Sequence, residues 1–281
     1  LKRILCIEDL STVGRSSLAV VSPVLSVMGS QCCPLPGALL SSHTGGFDPV
    51  TKLDTTGFVA DALAAYRAQD IGFDCILTGY LSSPQQALLL AEELPRHPEA
   101  LKVTDPAMAD NGQLYHGFGP KMVEAMRTLC TKADVLVPNP TEAALLAGEE
   151  PLATYEPQQI EALCGRLAER FAAKVVITGV PLVGGGVVCV GRGGAAWELF
   201  SLKCSYVDAT YPGTGDLFAA VLTGALLRGN ALQSAAELAL RFVENAARAT
   251  YAAGRDARFG VEFEPLLSEL LPQKEDTQWQ R

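Results

Sequence analysis

Basic residues and histidine are scarce in this chain, and no cysteine spacing in it suggests a disulfide or zinc framework. Across 281 residues, 22 Lys and Arg face 31 Asp and Glu, so the formal net charge is −9. That balance argues against nucleic acid or an anionic membrane as a partner. It leaves nucleotide binding open, because backbone amides and a metal ion can balance phosphate charge locally. Three histidines, His43, His97 and His116, are too few to complete a zinc site with cysteines this scattered. The eight cysteines (Cys6, Cys32, Cys33, Cys75, Cys130, Cys164, Cys189 and Cys204) form no Cys-x-x-Cys pair, and most lie in apolar runs. They read as reduced thiols used as small core residues, which leads us to expect a cytoplasmic protein. No secretory leader is expected, since Glu8 and Asp9 interrupt the first apolar segment. Residues 16–47 carry no Asp, Glu, Lys or Arg, yet Pro23, Pro34 and Pro36 divide them into pieces too short to cross a bilayer. With 48% hydrophobic residues the chain can bury a large core. Neither a repeat nor a separating linker is visible, so one domain is expected over 1–281, with a polar, loose tail from Pro272.

What is present is organised around residues 206–227, where a polar turn of Pro212, Gly213, Thr214 and Gly215 opens onto a long uncharged helical run. Gly213 and Gly215 let the backbone turn sharply and let a ligand approach it. The first amides of a helix have no partner inside it, and together they attract phosphate. Asp216 adds a carboxylate beside them, suited to act as base for a hydroxyl that attacks a phosphoryl group. For an isolated Gly-x-Gly-Asp, a helix start with a dipole-favoured acid is the commoner explanation. Here the run Leu217, Phe218, Ala219, Ala220, Val221, Leu222 marks a buried helix whose polar mouth needs a reason.

Elsewhere the pattern alternates. Strands are expected over 2–7, 31–35, 38–40, 74–77, 101–105, 133–138 and 174–177, with a loop from Glu8 to Gly14. Helices fit 16–28, 55–69, 84–94, 120–131, 140–147, 157–171, 231–253 and 262–271. A hairpin is expected with strands 187–190 and 196–200 about a turn at 191–194. Strand–helix alternation implies an α/β fold with a mostly parallel, three-layered sheet. Its ligands bind outside the carboxyl ends of the strands. The polar groups at those ends are Ser11, which could also cap the next helix, His43-Thr44-Gly-Gly, Thr78-Gly-Tyr80, Asp105, Asn139-Pro-Thr-Glu142 and Thr178. Residues 111–119 have no clear period and read as a flexible flap.

Over residues 4–253 these features resemble the pyridoxal/pyridoxamine (vitamin B6) kinase branch of the ribokinase-like superfamily. Asp9-Leu-Ser-Thr-Val-Gly-Arg15, His43-Thr-Gly-Gly46 and Thr78-Gly-Tyr80 point to the branch. Asp105-Pro106, Asn139-Pro-Thr-Glu142 and Gly213-Thr-Gly-Asp216 are shared more widely. The resemblance implies a ribokinase-like kinase that transfers the γ-phosphate of ATP to the 5′-hydroxymethyl group of pyridoxal, pyridoxine or pyridoxamine. It implies Asp216 as base and the amides of Gly213, Thr214 and Gly215 as anion hole. It further implies Asp105, Asn139 and Glu142 around ATP and Mg²⁺, in part through its waters, with Asp110 a weaker candidate and Thr178 near the phosphates or ribose. On the substrate side it places Ser11 at the ring nitrogen, Thr44 at the ring's polar substituents, Tyr80 as an aromatic wall and His43 as a neighbour that braces the loop or titrates. A homodimer is expected from the family, and a K⁺ requirement stays open.

Alternatives remain for Tyr80, which could be a half-buried core tyrosine, and for the chemistry. A hydroxymethylpyrimidine kinase shares the fold and the anion hole, though the loops around Ser11 and Thr44 favour B6. A sugar kinase lacks room for its lid strands between Ile7 and the helix near Ser16. A non-catalytic B6-binding protein on the same fold would need no base. Glu8-Asp9 adds carboxylates close to the ring site, a feature that would favour the cationic pyridoxamine, and Cys32-Cys33 has no assigned role.

Overall fold

In the computed structural model, residues 1–193, 198–205 and 209–271 are described. Tyr206, Val207 and Asp208, the expected hairpin residues Gly194, Ala196 and Trp197, and the tail from Pro272 lie outside them. The chain opens with β1 (Lys2–Ser11), α1 (Leu18–Val27), β2 (Ser30–Leu40), β3 (Lys52–Asp54), α2 (Thr56–Ala68), β4 (Cys75–Thr78), α3 (Pro84–Glu93) and β5 (Leu101–Thr104). A small ribbon of β6 (Ala109–Asp110) and β7 (Gln113–Leu114) follows, then α4 (Pro120–Cys130), β8 (Val135–Leu136), α5 (Pro140–Ala147), α6 (Pro157–Phe171) and β9 (Lys174–Pro181). It closes with β10 (Val187–Gly193), β11 (Glu198–Cys204), α7 (Thr214–Leu227) and α8 (Leu232–Ala252). Nine strands form one sheet in the order β11-β10-β9-β8-β5-β4-β1-β2-β3. All pairs from β2 through β1, β4, β5 and β8 to β9 are parallel, and β3, β10 and β11 add antiparallel edges.

Alternation along the strands divides the core. Leu5, Ile7, Ile76, Leu136 and Ile177 face α2 to α6. Ile4, Cys6, Leu77, Val103 and Val176 face α1, α7 and α8. The two helical layers thus cover both faces of the parallel sheet, as its apolar strands require. No described helix is long and apolar enough to cross a membrane.

Several boundaries differ from the sequence reading, each for a physical reason. β1 does not end at Ile7, because pairing with β2 continues past a bulge at Glu8/Asp9 to Ser11↔Leu40. Glu8 and Asp9 are therefore strand residues rather than loop. Pro34 and Pro36 do not interrupt β2, since β3 pairs only with Ala38–Leu40 and the outer side of β2 is unpaired where the prolines lie. The hairpin turn is not at Gly191. That glycine pairs with Phe200 in the ladder, and a Cβ there would lie 2.2 Å from the Phe200 ring. The last helix is a 3-10 segment, Glu264–Leu270. The flap begins as an ordered ribbon whose turn, Asn111 (φ 51°) and Gly112 (φ 77°), has the positive angles of a tight hairpin.

One buried side chain ties the loop after β4 to its surroundings. Gln86, 1% exposed on α3, accepts a hydrogen bond from Ser82 N (2.9 Å) and donates to Gly37 O (2.6 Å) and Thr56 Oγ1 (2.9 Å). Gln86→Leu should lose about 1–3 kcal/mol for each buried backbone group left unpaired. A denaturant titration that shows an unchanged midpoint would contradict this anchoring role.

Candidate active site

The strand order reverses direction at β1/β4: from β1 the chain first adds β2 on one side, then β4 on the other. Open parallel sheets bind ligands at such a point, beyond the strand carboxyl ends. Ser11 ends β1, Thr78-Gly-Tyr80 ends β4, Asp105 follows β5, Asn139 lies beyond β8, and Thr178 lies in β9. His43 and Thr44 follow β2. The sheet thus carries these residues to one edge, where α7 also begins.

The start of α7 is fixed by close packing. Gly213 has φ 80°, and a Cβ on it would lie 1.9 Å from Arg15 O. No other residue fits. Gly215 has no such restriction, and the nearest atom to a Cβ there is Asp105 Oδ2 at 3.7 Å. Its bareness serves the open mouth rather than the backbone. The Thr214 hydroxyl donates to Tyr211 O (3.1 Å), and the N-terminus of α7 has no side-chain cap, so its first amides keep no partner from the helix start. Asp216 Oδ2 accepts from Ser17 N (2.7 Å), Ser17 Oγ donates to Asp9 Oδ1 (2.5 Å), and Ser11 Oγ donates to Asp9 Oδ2 (2.8 Å). Ser17 holds φ 45° and ψ −130° just before α1, a strained conformation for a residue other than glycine. Burial pushes the Asp216 carboxyl up to about 6, against the lowering effect of the Ser17 amide. At neutral pH it is mainly ionised and poised to take a proton.

The neighbouring acids differ in how free they are. Glu142 is fully engaged: Oε1 accepts from Met108 N (3.0 Å) and Ala109 N (3.4 Å), and Oε2 accepts from Asn139 N (2.9 Å). Asn139 Oδ1 accepts from Glu142 N (2.9 Å), which completes a capping box on α5, while its Nδ2 donates to Ala109 O (2.7 Å). Burial nevertheless pushes Glu142 up to about 8. Asp105 is buried, and its pKa is raised well above the usual range by desolvation, then by Glu142 and Asp216. Asp110 lies on the ribbon, exposed, with its carboxylate accepting from Asn111 N (2.8 Å) and Asn111 Nδ2 (3.1 Å). Thr178 is half-buried, and its amide donates to Pro138 O (3.0 Å). Among the described residues no three His, Cys, Asp or Glu side chains are grouped to hold a metal by themselves.

On the other side of the mouth, His43 is buried over Gly14, where a Cβ would lie 2.3 Å from the ring. Its Nδ1 accepts from Gly45 N (3.1 Å), and burial lowers its pKa, so the neutral ring braces the loop. Thr44 is exposed at the loop tip. Tyr80 is half-buried: Phe118 stacks on it at 5.5 Å, and Lys52 Nζ reaches its hydroxyl at 3.3 Å. Sequence reasoning missed Ser17, Lys52, Tyr115 and Phe118. Burial and the nearby carboxylates of Glu142, Asp105, Asp110 and Asp216 raise the Tyr115 phenol well above its ordinary range. The flap therefore reaches into the acidic centre. Two aromatics spaced three apart in a glycine-rich stretch were the available signal.

The contrast between the two glycines is testable. Gly213→Ala should lose at least about 1–2 kcal/mol from the left-handed angle alone, with the Arg15 clash added. Gly215→Ala should be as stable as the parent or more so, because alanine favours helix. Equal melting temperatures for Gly213→Ala and the parent would contradict the packing at Arg15.

Known proteins share this fold. Residues 24–260 match the phosphomethylpyrimidine kinase family, Phos_pyr_kin. The chain is similar to the pyridoxine/pyridoxal/pyridoxamine kinase of Bordetella avium, with 33% identity over 251 residues, 82% of this chain and 79% of that one. It is also similar to a provisionally named phosphomethylpyrimidine kinase from Bacteroides thetaiotaomicron solved with pyridoxal, at TM-score 0.92 and 37% identity over 98% and 97% of the two chains. A pyridoxal kinase from Lactobacillus plantarum superposes at TM-score 0.89 with 34% identity, over 96% of both chains. The chain belongs to the phosphomethylpyrimidine kinase family, in which its relatives include vitamin B6 kinases.

Proposed function

We propose that this chain is a single-domain pyridoxal kinase that transfers the γ-phosphoryl group of ATP to the 5′-hydroxymethyl group of B6 vitamers. The observation that carries the reading is the Asp216 carboxylate, held by Ser17 N in the first turn of α7, whose N-terminus has no side-chain cap. Asp216 takes the hydroxyl proton as its oxygen attacks phosphorus. The amides of Gly213, Thr214 and Gly215 stabilise the equatorial phosphoryl oxygens, and ADP leaves on the opposite side. The ring lies against Tyr80, with Ser11, Thr44 and the Asp9 network at its polar edge. Thr178 meets the nucleotide. Asp105 has a carboxylate without a protein hydrogen-bond partner among those described, which suits Mg²⁺ held through water and phosphate oxygens, with Asp110 farther out. Glu142 acts from behind, because its oxygens are already taken by backbone amides. Bound Mg²⁺ would neutralise phosphate charge. The eight free cysteines suit a cytoplasmic setting, and a homodimer is expected on family grounds.

The family name keeps a hydroxymethylpyrimidine substrate as a second reading. Asp216→Asn preserves shape and should lower kcat by about 10²–10⁴, with vitamer affinity little changed in a binding titration. For the parent, kcat/KM should fall as pH drops through about 6, because the folded pKa of Asp216 is raised to that value and protonation removes the base. Near-normal turnover of Asp216→Asn would overturn the base assignment. Vitamer binding by the parent without any ADP formation would favour a carrier.

A further inference from the structure

Glu8 has no evident reason to be where it is. It is 2% exposed, and its Oε2 is buried without a hydrogen-bond partner among the described residues. A buried carboxyl left so is unfavourable, and native structures seldom keep one without a ligand or function. The fold nevertheless makes room for it. Gly79, in the turn after β4, would place a Cβ 2.8 Å from Glu8 Cδ and Cγ. Glu8 follows Ile4 and Cys6 on the face of β1 that meets α1 and α7. The groups whose charge bears on it come from four elements: Asp216 on α7, Asp105 after β5, Asp9 beside it on β1, and Cys32 on β2. None of them is a cation. Lys52 is turned to the Tyr80 hydroxyl (3.3 Å) and Ser82 O (3.4 Å).

We propose that Glu8 is a specificity-determining residue that receives a primary ammonium group on the substrate ring, the aminomethyl arm of pyridoxamine; this rests on the vitamin B6 reading above. Three features select that ligand. The strongest charge neighbour of Glu8 is Asp216, the group assigned to the reacting hydroxymethyl. The variable arm of the vitamers sits on the adjacent ring carbon, so it falls within reach of the same corner. An ammonium carries three directional donors and needs acceptors rather than a coordination sphere, and no metal-holding group of three side chains exists among the described residues. Pyridoxine has a hydroxymethyl arm of nearly the same size, so charge is what separates the two ligands. Burial and the surrounding acids raise the Glu8 carboxyl well above the ordinary carboxylate range. An entering cation offsets those acids and favours the carboxylate that binds it.

The test is an equilibrium titration of the full chain, without ATP, against pyridoxamine and pyridoxine, for the parent and for Glu8→Gln. The parent should bind pyridoxamine about tenfold tighter or more, as expected for a hydrogen bond to a charged group. Glu8→Gln, shown by circular dichroism to be folded, should reduce that ratio at least about tenfold. An unchanged ratio in the folded variant overturns the proposal. Should the variant fail to fold, the parent decides alone, and equal or weaker binding of pyridoxamine overturns it. Steady-state rates with both vitamers keep the premise separate: phosphorylation of both with no pyridoxamine preference defeats the role of Glu8 and leaves the kinase reading standing, whereas neither binding nor phosphorylation of any vitamer defeats that reading.

Discussion

The site depends on one junction between distant parts of the chain. The carboxylate of Asp216 accepts the amide of Ser17, and Gly213 closes against the Arg15 carbonyl. This joins the start of α7 to the loop between β1 and α1. The loop is held in turn by Asp9, which accepts both Ser17 Oγ and Ser11 Oγ. Gly260 completes the packing, since a Cβ there would lie 2.9 Å from Arg15 O and 3.0 Å from Pro212 O. Close backbone approach of this kind leaves no room for adjustment. The proposed base and the proposed ring-binding serine are therefore positioned by one hydrogen-bonded chain.

Charge is the second constraint. Glu8, Asp105, Glu142 and Asp216 all lie at or behind the mouth, and burial raises the pKa of each. Glu142 is accommodated by three backbone amides and the α5 capping box. The others lack any comparable set of donors. A site of this character favours cations, and in the proposed reaction nucleotide-bound Mg²⁺ supplies them. The flap fits the same logic, for Tyr115 brings a neutral phenol rather than a further charge among the acids, and Phe118 covers Tyr80.

Much of this was legible in the sequence where local chemistry and fold point the same way. Gly213-Thr-Gly-Asp216 announces a helix mouth by itself, and strand ends bearing Ser11, Asp105 and Asn139 follow from the alternation of strands and helices. Asn139-Pro-Thr-Glu142 has the spacing of a capping box, but that both carboxylate oxygens of Glu142 are engaged depends on the amides of Met108 and Ala109, which no local pattern shows. Glu8 and Asp9 read as the start of a polar loop after the short apolar run that ends at Ile7. Pairing with β2 across a bulge makes them strand residues, a long-range effect no local pattern carries. Ser17 reads as part of an apolar helix, although it lies just before α1 and its amide is bound by Asp216, far along the chain. Gly191 resembles a turn residue, and only Phe200 across the ladder explains it.

The central claim, that this junction is built for phosphoryl transfer to a vitamin B6 hydroxymethyl group, is tested most directly by identifying the product. The chain would be incubated with ATP, Mg²⁺ and an equimolar mixture of pyridoxal and hydroxymethylpyrimidine, and phosphorus NMR with mass spectrometry would identify the phosphorylated species. Pyridoxal 5′-phosphate is expected as the main product, with ADP formed in equal amount. Phosphorylated hydroxymethylpyrimidine as the main product, or no phosphorylated ring compound at all, would contradict it.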